Sequence, residues 1–285
     1  MKVKRADTAG FCMGVDLALR KLDKLSEVQP GSLLTLGPII HNPQVLQEYE
    51  AKGVGRADAL DDVPHGSTVV IRAHGVPRNV ETRLEEMGCH IEDATCPKVK
   101  KAQVLIHRMA RHGRTVLLYG EEDHPEVRGL VSYAGPDPLV FDDPEILRDY
   151  PFERDKGYCL AAQTTQDREA FEQMAAELEA REDVDIAVLR TICDATRNRQ
   201  REALTIAKEV DCMVVVGGRQ SGNTRRLAQV VSQADIPCFL VETAEELEPE
   251  KLLQCNVVGL TAGASTPKKL IDEVQAVLED FSGEG

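Results

Sequence analysis

Three times in this chain a cysteine stands at the exit of a short strand and opens directly into an amphipathic helix: GFCMGVDLALRKL around Cys12, DATCPKVKKAQVL around Cys96 and TICDATRNRQREAL around Cys193. Each helix is followed by an apolar strand that stops at a glycine, Gly37 after LLTL, Gly120 after TVLLY and Gly217 after CMVVV, at intervals of 25, 24 and 24 residues from the cysteine. Glycine at that offset is not diagnostic alone, since Cys89 and Cys238 have Gly113 and Gly263 at a similar distance. Those two lack the full order of helix, strand and polar loop. The pattern therefore reads as a threefold internal repeat with one cysteine per unit.

The repeat sets the expected organisation: an α/β unit over 12–95, a second over 96–192 and a third over 193–285. The third has no cysteine-bearing strand of its own. The N-terminal strand within 1–11 supplies it, so the termini should lie side by side and the three units should close on each other. Strands alternating with helices predict an α/β fold with mostly parallel sheets and crossover helices. The apolar spacing predicts helices from Cys12 to about Ser26, from Pro43, over roughly 78–87, 97–112 and 196–209, and from Pro267 to about Phe281. Ligands of such sheets gather at the carboxyl ends of the strands, which is where the polar loops fall. Three cysteines and six loops are expected to face one central cavity.

Composition excludes several classes. A net charge of −14 argues against nucleic-acid binding, which depends on clustered Lys and Arg. No apolar run approaches about 18 residues, and no charged-then-apolar leader is seen, so no membrane span or signal peptide is expected. Eight cysteines without such a leader suggest reduced thiols in a cytoplasmic setting. Cys89, Cys159, Cys212, Cys238 and Cys255 sit in or beside apolar runs and read as small buried hydrophobes.

The loops bring His41 and Asn42, His74, His124 and Glu126, Thr164 and Thr165, Ser221 and Asn223, and Ser265. Helix N-termini combined with such donors suit an anion, most naturally a phosphate or diphosphate. GGRQSGN is neither a Walker sequence nor GxGxxG, so no nucleotide is expected. Taken singly, Asn42, Thr224, Ser265 and Thr266 read as helix caps, Thr164 and Thr165 as a capping turn, and Glu126 as an answer to the helix dipole. Only their joint placement at one end of a repeated architecture argues for a shared site. For the cysteines, a structural role, a zinc site and an iron–sulfur cluster compete. The absence of a CxxC pair disfavours a zinc ribbon. A [4Fe–4S] cluster on three cysteines leaves one iron open as a Lewis acid and passes electrons singly. With a diphosphate cage and a lone carboxylate, that suggests a reductase or dehydratase of an oxygenated diphosphate.

The blocks GFCMGV, HNPQV, RAHGV, DATCP, HPEVRG, QTT, ICDATRNRQ, SGNTRRL and TAGASTP occur in that order along essentially the whole chain. In them the chain resembles the 4-hydroxy-3-methylbut-2-enyl diphosphate reductases of the non-mevalonate isoprenoid pathway. The resemblance implies a [4Fe–4S] cluster held by Cys12, Cys96 and Cys193 among three pseudo-symmetric units, with the substrate hydroxyl on its open iron. It implies a diphosphate held by His41, His74, His124, Ser221, Asn223 and Ser265. It makes Glu126 the proton source, relayed by Thr164 or Thr165, and a ferredoxin or flavodoxin the electron donor. The products would be isopentenyl and dimethylallyl diphosphate. Where the family often has Ser-Ser-Asn this chain has Ser221, Gly222, Asn223, so Gly222 offers only a backbone N–H. Gly218 and Gln220 replace frequent Ser and Asn, and QTT continues with Gln166 and Asp167 rather than Leu-Ser. Rival readings are a non-redox iron–sulfur hydro-lyase, an iron–sulfur sensor of a diphosphate metabolite, and a zinc hydrolase.

Overall fold

The runs LLTL, TVVI, TVLLY, GYCLAA, CMVVV and VVGLTA are apolar at consecutive rather than alternate positions, as strands covered on both faces must be. In the computed structural model, which describes residues 1–28, 31–252 and 254–281, all six are inner strands of parallel sheets. The chain runs β1 (Lys2–Arg5), α1 (Met13–Val28), β2 (Leu33–Leu36), α2 (Pro43–Ala51), β3 (Gly55–Ala57), β4 (Thr68–Ile71), α3 (Arg78–Glu86) and β5 (His90–Asp93). It continues with α4 (Pro97–Arg111), β6 (Thr115–Tyr119), α5 (Pro125–Val131), β7 (Leu139–Phe141), β8 (Gly157–Ala162), α6 (Arg168–Glu179) and β9 (Asp185–Val188). Last come α7 (Asp194–Ala207), β10 (Cys212–Val216), α8 (Gly222–Ser232), β11 (Cys238–Val241), α9 (Pro249–Leu252), β12 (Val257–Ala262) and α10 (Lys268–Asp280).

Three four-stranded sheets result, ordered β3-β2-β4-β5, β7-β6-β8-β9 and β11-β10-β12-β1, and every strand pair is parallel. The order is the same three times. β1 occupies in the third sheet the place that β5 and β9 hold in the others, pairing Val3 with Val258 and Arg5 with Leu260. The Met1 amino group also reaches the Glu279 carbonyl at 3.3 Å, so the start of β1 lies beside the last turn of α10.

Contacts divide the molecule into two compact units. A terminal unit, residues 1–16, 40–48 and 194–285, holds the β11-β10-β12-β1 sheet; a central unit, residues 17–39 and 49–193, holds the other two. In the terminal unit, Val214, Val216, Leu260 and Ala262 meet Val274 and Leu278 of α10 on one face, while Met213 and Val215 meet Ala203 and Leu227 of α7 and α8 on the other. In the central unit, Leu117, Tyr119, Tyr158 and Phe171 form one core under α6, and Leu36, Val69, Ile71 and Leu84 another under α3.

The structure departs from expectation at the sheet margins. β3 and β7, three residues each, lie in stretches for which the sequence pattern predicts no strand. α7 begins at Asp194, directly after Cys193, rather than at 196, because an acidic residue suits the first turn of a helix. Pro77 and Pro267 are N-caps, not first-turn residues. None of the described helices is long and apolar enough to cross a membrane.

Candidate active site

The loops leaving β2, β6 and β10 start alike. Each opens on the glycine noted in the repeat, whose N–H is held by the last residue of the edge strand: Gly37 by Ala57 O at 2.7 Å, Gly120 by Phe141 O at 2.7 Å, Gly217 by Val241 O at 2.9 Å. Each then ends in a side chain that caps the next helix. Asn42 Oδ1 accepts from Val45 N at 3.0 Å, His124 Nδ1 from Glu126 N at 3.2 Å, and Ser221 Oγ from Thr224 N at 3.4 Å. Capping is thus a real role for Asn42, His124 and Ser221, and it leaves part of each side chain for other work. For His124, Nδ1 acting as acceptor puts the ring proton on Nε2, which becomes a donor.

The loops leaving β4, β8 and β12 hold the cysteines of the repeat. Cys96 N donates to Ala73 O at 2.9 Å, Cys193 N to Thr164 O at 3.0 Å, and Cys12 N to Ala264 O at 3.1 Å. In each case the accepting residue is, or precedes, a polar candidate: His74, Thr164, Ser265. The same hydrogen bond made three times ties each cysteine to a loop that offers hydrogen-bonding groups.

Within the terminal unit, Ser265 Oγ donates to the His41 carbonyl at 3.2 Å and lies 3.5 Å from Ser221 Oγ. Ser221, Gly222, Asn223 and Ser265 are buried and His41 is half-buried. The Nδ2 atoms of Asn42 and Asn223 are buried without a hydrogen-bond partner, which is expensive unless a ligand supplies acceptors. A Cβ on Gly218 would stand 2.9 Å from the His41 carbonyl, so glycine there lets the two loops touch.

Within the central unit, the His74 and His124 rings meet edge to face with centroids 5.4 Å apart. Glu126, 2 % exposed, accepts from Thr164 N at 2.6 Å through Oε1 and from Thr164 Oγ1 at 3.0 Å through Oε2. Burial raises its pKa from 4.5 to about 7, against the opposing pull of the two Thr164 hydrogen bonds. Thr165 is half-buried, and its Oγ1 accepts instead from Gln163 Nε2 at 3.1 Å. Gln163 escaped the sequence reading. Its Oε1 takes Glu121 N at 3.2 Å, joining the loop after β8 to the one after β6, and only its place at the head of QTT could have singled it out.

Among the described residues, which include all eight cysteines, there is no disulfide. Cys159 and Cys212 are sealed inside β8 and β10, where burial drives the thiol pKa up, to about 12 for Cys159. Cys12, Cys96 and Cys193 are half-buried, each immediately before a helix. That donor set suits an anionic iron–sulfur group, because thiolates are its natural ligands and the positive ends of helices favour its charge.

Residues 3–279 match the family described as LytB protein. A 4-hydroxy-3-methylbut-2-enyl diphosphate reductase of Solidesulfovibrio magneticus is 54% identical, covering 99% of this chain and 100% of the relative. One from Geobacter sulfurreducens is 43% identical over 99% of this chain and 98% of its own. The solved structure of the E-1-hydroxy-2-methyl-but-2-enyl-4-diphosphate reductase from Plasmodium falciparum superposes with a TM-score of 0.92 at 25% identity, covering 97% of this chain and 87% of that one. A solved (E)-4-hydroxy-3-methyl-but-2-enyl diphosphate reductase, the terminal enzyme of the non-mevalonate pathway, gives 0.68 at 36% identity, covering 98% and 100%. The family match over residues 3–279, the full-length identity and the shared fold agree: the chain belongs to the LytB family, that of the 4-hydroxy-3-methylbut-2-enyl diphosphate reductases.

Proposed function

We propose that this chain removes the hydroxyl of 4-hydroxy-3-methylbut-2-enyl diphosphate reductively, giving isopentenyl and dimethylallyl diphosphate in the cytoplasm with electrons from a ferredoxin or flavodoxin. Two electrons and two protons enter, and the hydroxyl leaves as water. The observation that carries the reading is Glu126, a carboxyl sealed from water whose proton is retained to about pH 7. Cys12, Cys96 and Cys193 would hold a [4Fe–4S] cluster, which when bound supplies single electrons and an open iron for the substrate hydroxyl. The accompanying organisation is three α/β units, 12–95, 96–192 and 193–285, the last completed by 1–11.

The remaining roles fall to the chain itself. His41, His74 and His124 offer ring donors to the diphosphate, with Nε2 the donor on His124. Ser221, Asn223 and Ser265 offer side-chain donors and Gly222 its N–H at the start of α8, where the helix dipole favours anionic oxygen. The buried Asn223 amide would find its acceptor there. When Glu126 is protonated the 3.0 Å hydrogen bond to Thr164 Oγ1 would reverse, Oε2–H becoming the donor, and Glu126 would give its proton there while Thr164 passes its own proton onward to the leaving hydroxyl. The test is anaerobic purification with iron and sulfide counts, then turnover of the hydroxylated diphosphate with a reduced carrier. About four irons per chain and two electrons consumed per product are expected. Product formed without electrons would mean a hydro-lyase, and a colourless zinc protein would end the proposal.

A further inference from the structure

Arg199 lies on α7 and is 3 % exposed, although it is a guanidinium in a helix whose sequence, DATRNRQREAL, reads as a solvated face. Its Nη2 donates to two carbonyls of the N-terminal arm, Thr8 O and Gly10 O, both at 2.6 Å. One turn on, Glu202 faces the same arm. Its Oε1 accepts from Asp7 N at 2.8 Å and its Oε2 from Thr8 N at 2.9 Å and from the Thr8 hydroxyl. Burial pulls the Glu202 pKa up, but the Thr8 and Asp7 hydrogen bonds and Arg199 outweigh it and hold the carboxyl below its ordinary value. The two charges of one helix thus take the Thr8 and Gly10 carbonyls and the Asp7 and Thr8 N–H groups between them. Gly10, at φ +108°, makes the turn that a side chain would strain, with Ile271 Cδ1 3.3 Å from where its Cβ would be.

The arm ends at Cys12, whose own N–H is fixed to Ala264 O. The approaches to the other two cysteines are shorter and are held by groups of their own, Thr191 Oγ1 among them, which donates to Ala162 O at 2.6 Å and accepts from Ala162 N at 2.8 Å. Cys96 follows β5 through Ala94, bonded to Ile71 O, and Thr95, bonded to Asp93 Oδ1; Cys193 follows β9 through Leu189, bonded to Leu160 O. Those segments are continuous with strands of their own repeat. The Cys12 arm likewise follows β1, with Ala6 N bonded to Leu260 O at 2.8 Å, but a longer stretch, residues 7–11, separates that bond from the cysteine than Thr95 does at Cys96 or residues 190–192 do at Cys193.

We infer that Arg199 and Glu202 are positioning residues for Cys12: the pair presets the arm so that the thiol is delivered as a cluster ligand rather than left to fluctuate. This rests on the assignment of Cys12 as a ligand made above. The variants are Arg199→Met, which keeps the packed stem and removes the donors, and Glu202→Gln, which sets an amide N–H against an amide N–H. Two readouts are taken. In metal-free protein, amide hydrogen exchange over 7–12 and alkylation of Cys12 by iodoacetamide are followed by peptide mass mapping. Each should rise roughly tenfold or more, the effect of losing a charge-assisted hydrogen bond, with Cys96 alkylation unchanged as the internal control. In anaerobically reconstituted protein, iron loss to a chelator should accelerate by a similar factor, with Arg199→Lys restoring part of it. A merely structural residue would move global unfolding and all three thiols together, and that outcome overturns the inference. So does wild-type exchange and wild-type iron retention in both variants. If Arg199→Met fails to fold, Glu202→Gln and Thr8→Ala, which removes a single hydroxyl donor, decide the matter. A wild-type chain that takes up no iron, with variants that still show the Cys12-specific rise in alkylation, would sink the cluster assignment while leaving the clamp in place.

Discussion

Burial holds the Glu126 carboxyl at about 7 rather than 4.5, and two consequences follow, both adverse as the pH rises. As a proton donor Glu126 must be protonated, so turnover should fall about tenfold per pH unit above its pKa, and Glu126→Gln should lower kcat by on the order of a hundredfold while leaving iron content intact. As a folded-state carboxyl with a raised pKa it penalises the fold at high pH. Below 4.5 both folded and unfolded chains keep the proton and there is no difference. Between 4.5 and 7 the unfolded chain releases it first, so stability declines, and above 7 the loss is complete at about 3 kcal/mol. Glu126→Gln escapes that loss, so anaerobic denaturant titrations at pH 5 and pH 8 should show the variant gaining on the wild type at the higher pH; an equal gap at both would contradict the assigned environment. Glu126 and Thr164 were legible in the sequence because a carboxylate and a hydroxyl in loops after apolar strands stand out from their surroundings. Arg199 and Glu202 were not, because at three-residue spacing in a charged helix they look like any solvent-facing pair, and only burial tells them apart.

Between elements, the decisive quantity is how closely the loops after β10 and β12 approach each other. A Cβ on Gly263 would fall on Thr224 Oγ1, and one on Gly217 would lie 2.6 Å from Thr266 Oγ1 and 3.0 Å from Thr224 Oγ1. Thr224 and Thr266 are fully buried, so neither can swing aside. Thr266 Oγ1 also donates to Val216 O at 3.0 Å, closing the two loops on one another. Gly263→Ala should therefore destabilise the fold by about 1–3 kcal/mol. Because Ser221 and Ser265 stand on those same loops, it should raise the KM for the diphosphate more than it lowers kcat, and steady-state kinetics at wild-type iron content would show whether it does. The helices other than α9 and the six inner strands could be read from the chain, since a continuous apolar run or a 3.6-residue period survives without tertiary context. β3 and β7 could not: three residues at a sheet edge carry too little pattern, and GRA has no apolar signal beyond Ala57. The repeat itself contained the missing information, because β11 has the same place in its sheet and its run CFLV is plainly a strand.

At the scale of the whole molecule, the third sheet borrows its last strand from the far end of the chain. That could be inferred by counting, since two copies of the repeat end in a strand that delivers the chain to the next cysteine and the third copy ends without one. Counting strands, however, says nothing about what that strand protects. β1 covers β12, whose Val258, Leu260 and Ala262 are completely buried, and it carries the arm that leads to Cys12. A chain beginning at Asp7 would lose both functions at once. β12 would become an open parallel edge of apolar residues, a template for pairing with another copy, and residues 7–12 would keep the Arg199 and Glu202 clamp without the strand behind it. The truncated protein should elute from an anaerobic sizing column as oligomers, where the intact chain gives its own characteristic species, and should retain less iron per chain. Supplying the missing strand as a separate peptide of the first six residues should reverse part of the association by occupying the β12 edge. If the truncated chain keeps the elution position and the iron of the intact one, β1 is an ornament on the sheet rather than its closing strand, and the threefold order of the strands would lose its physical reason.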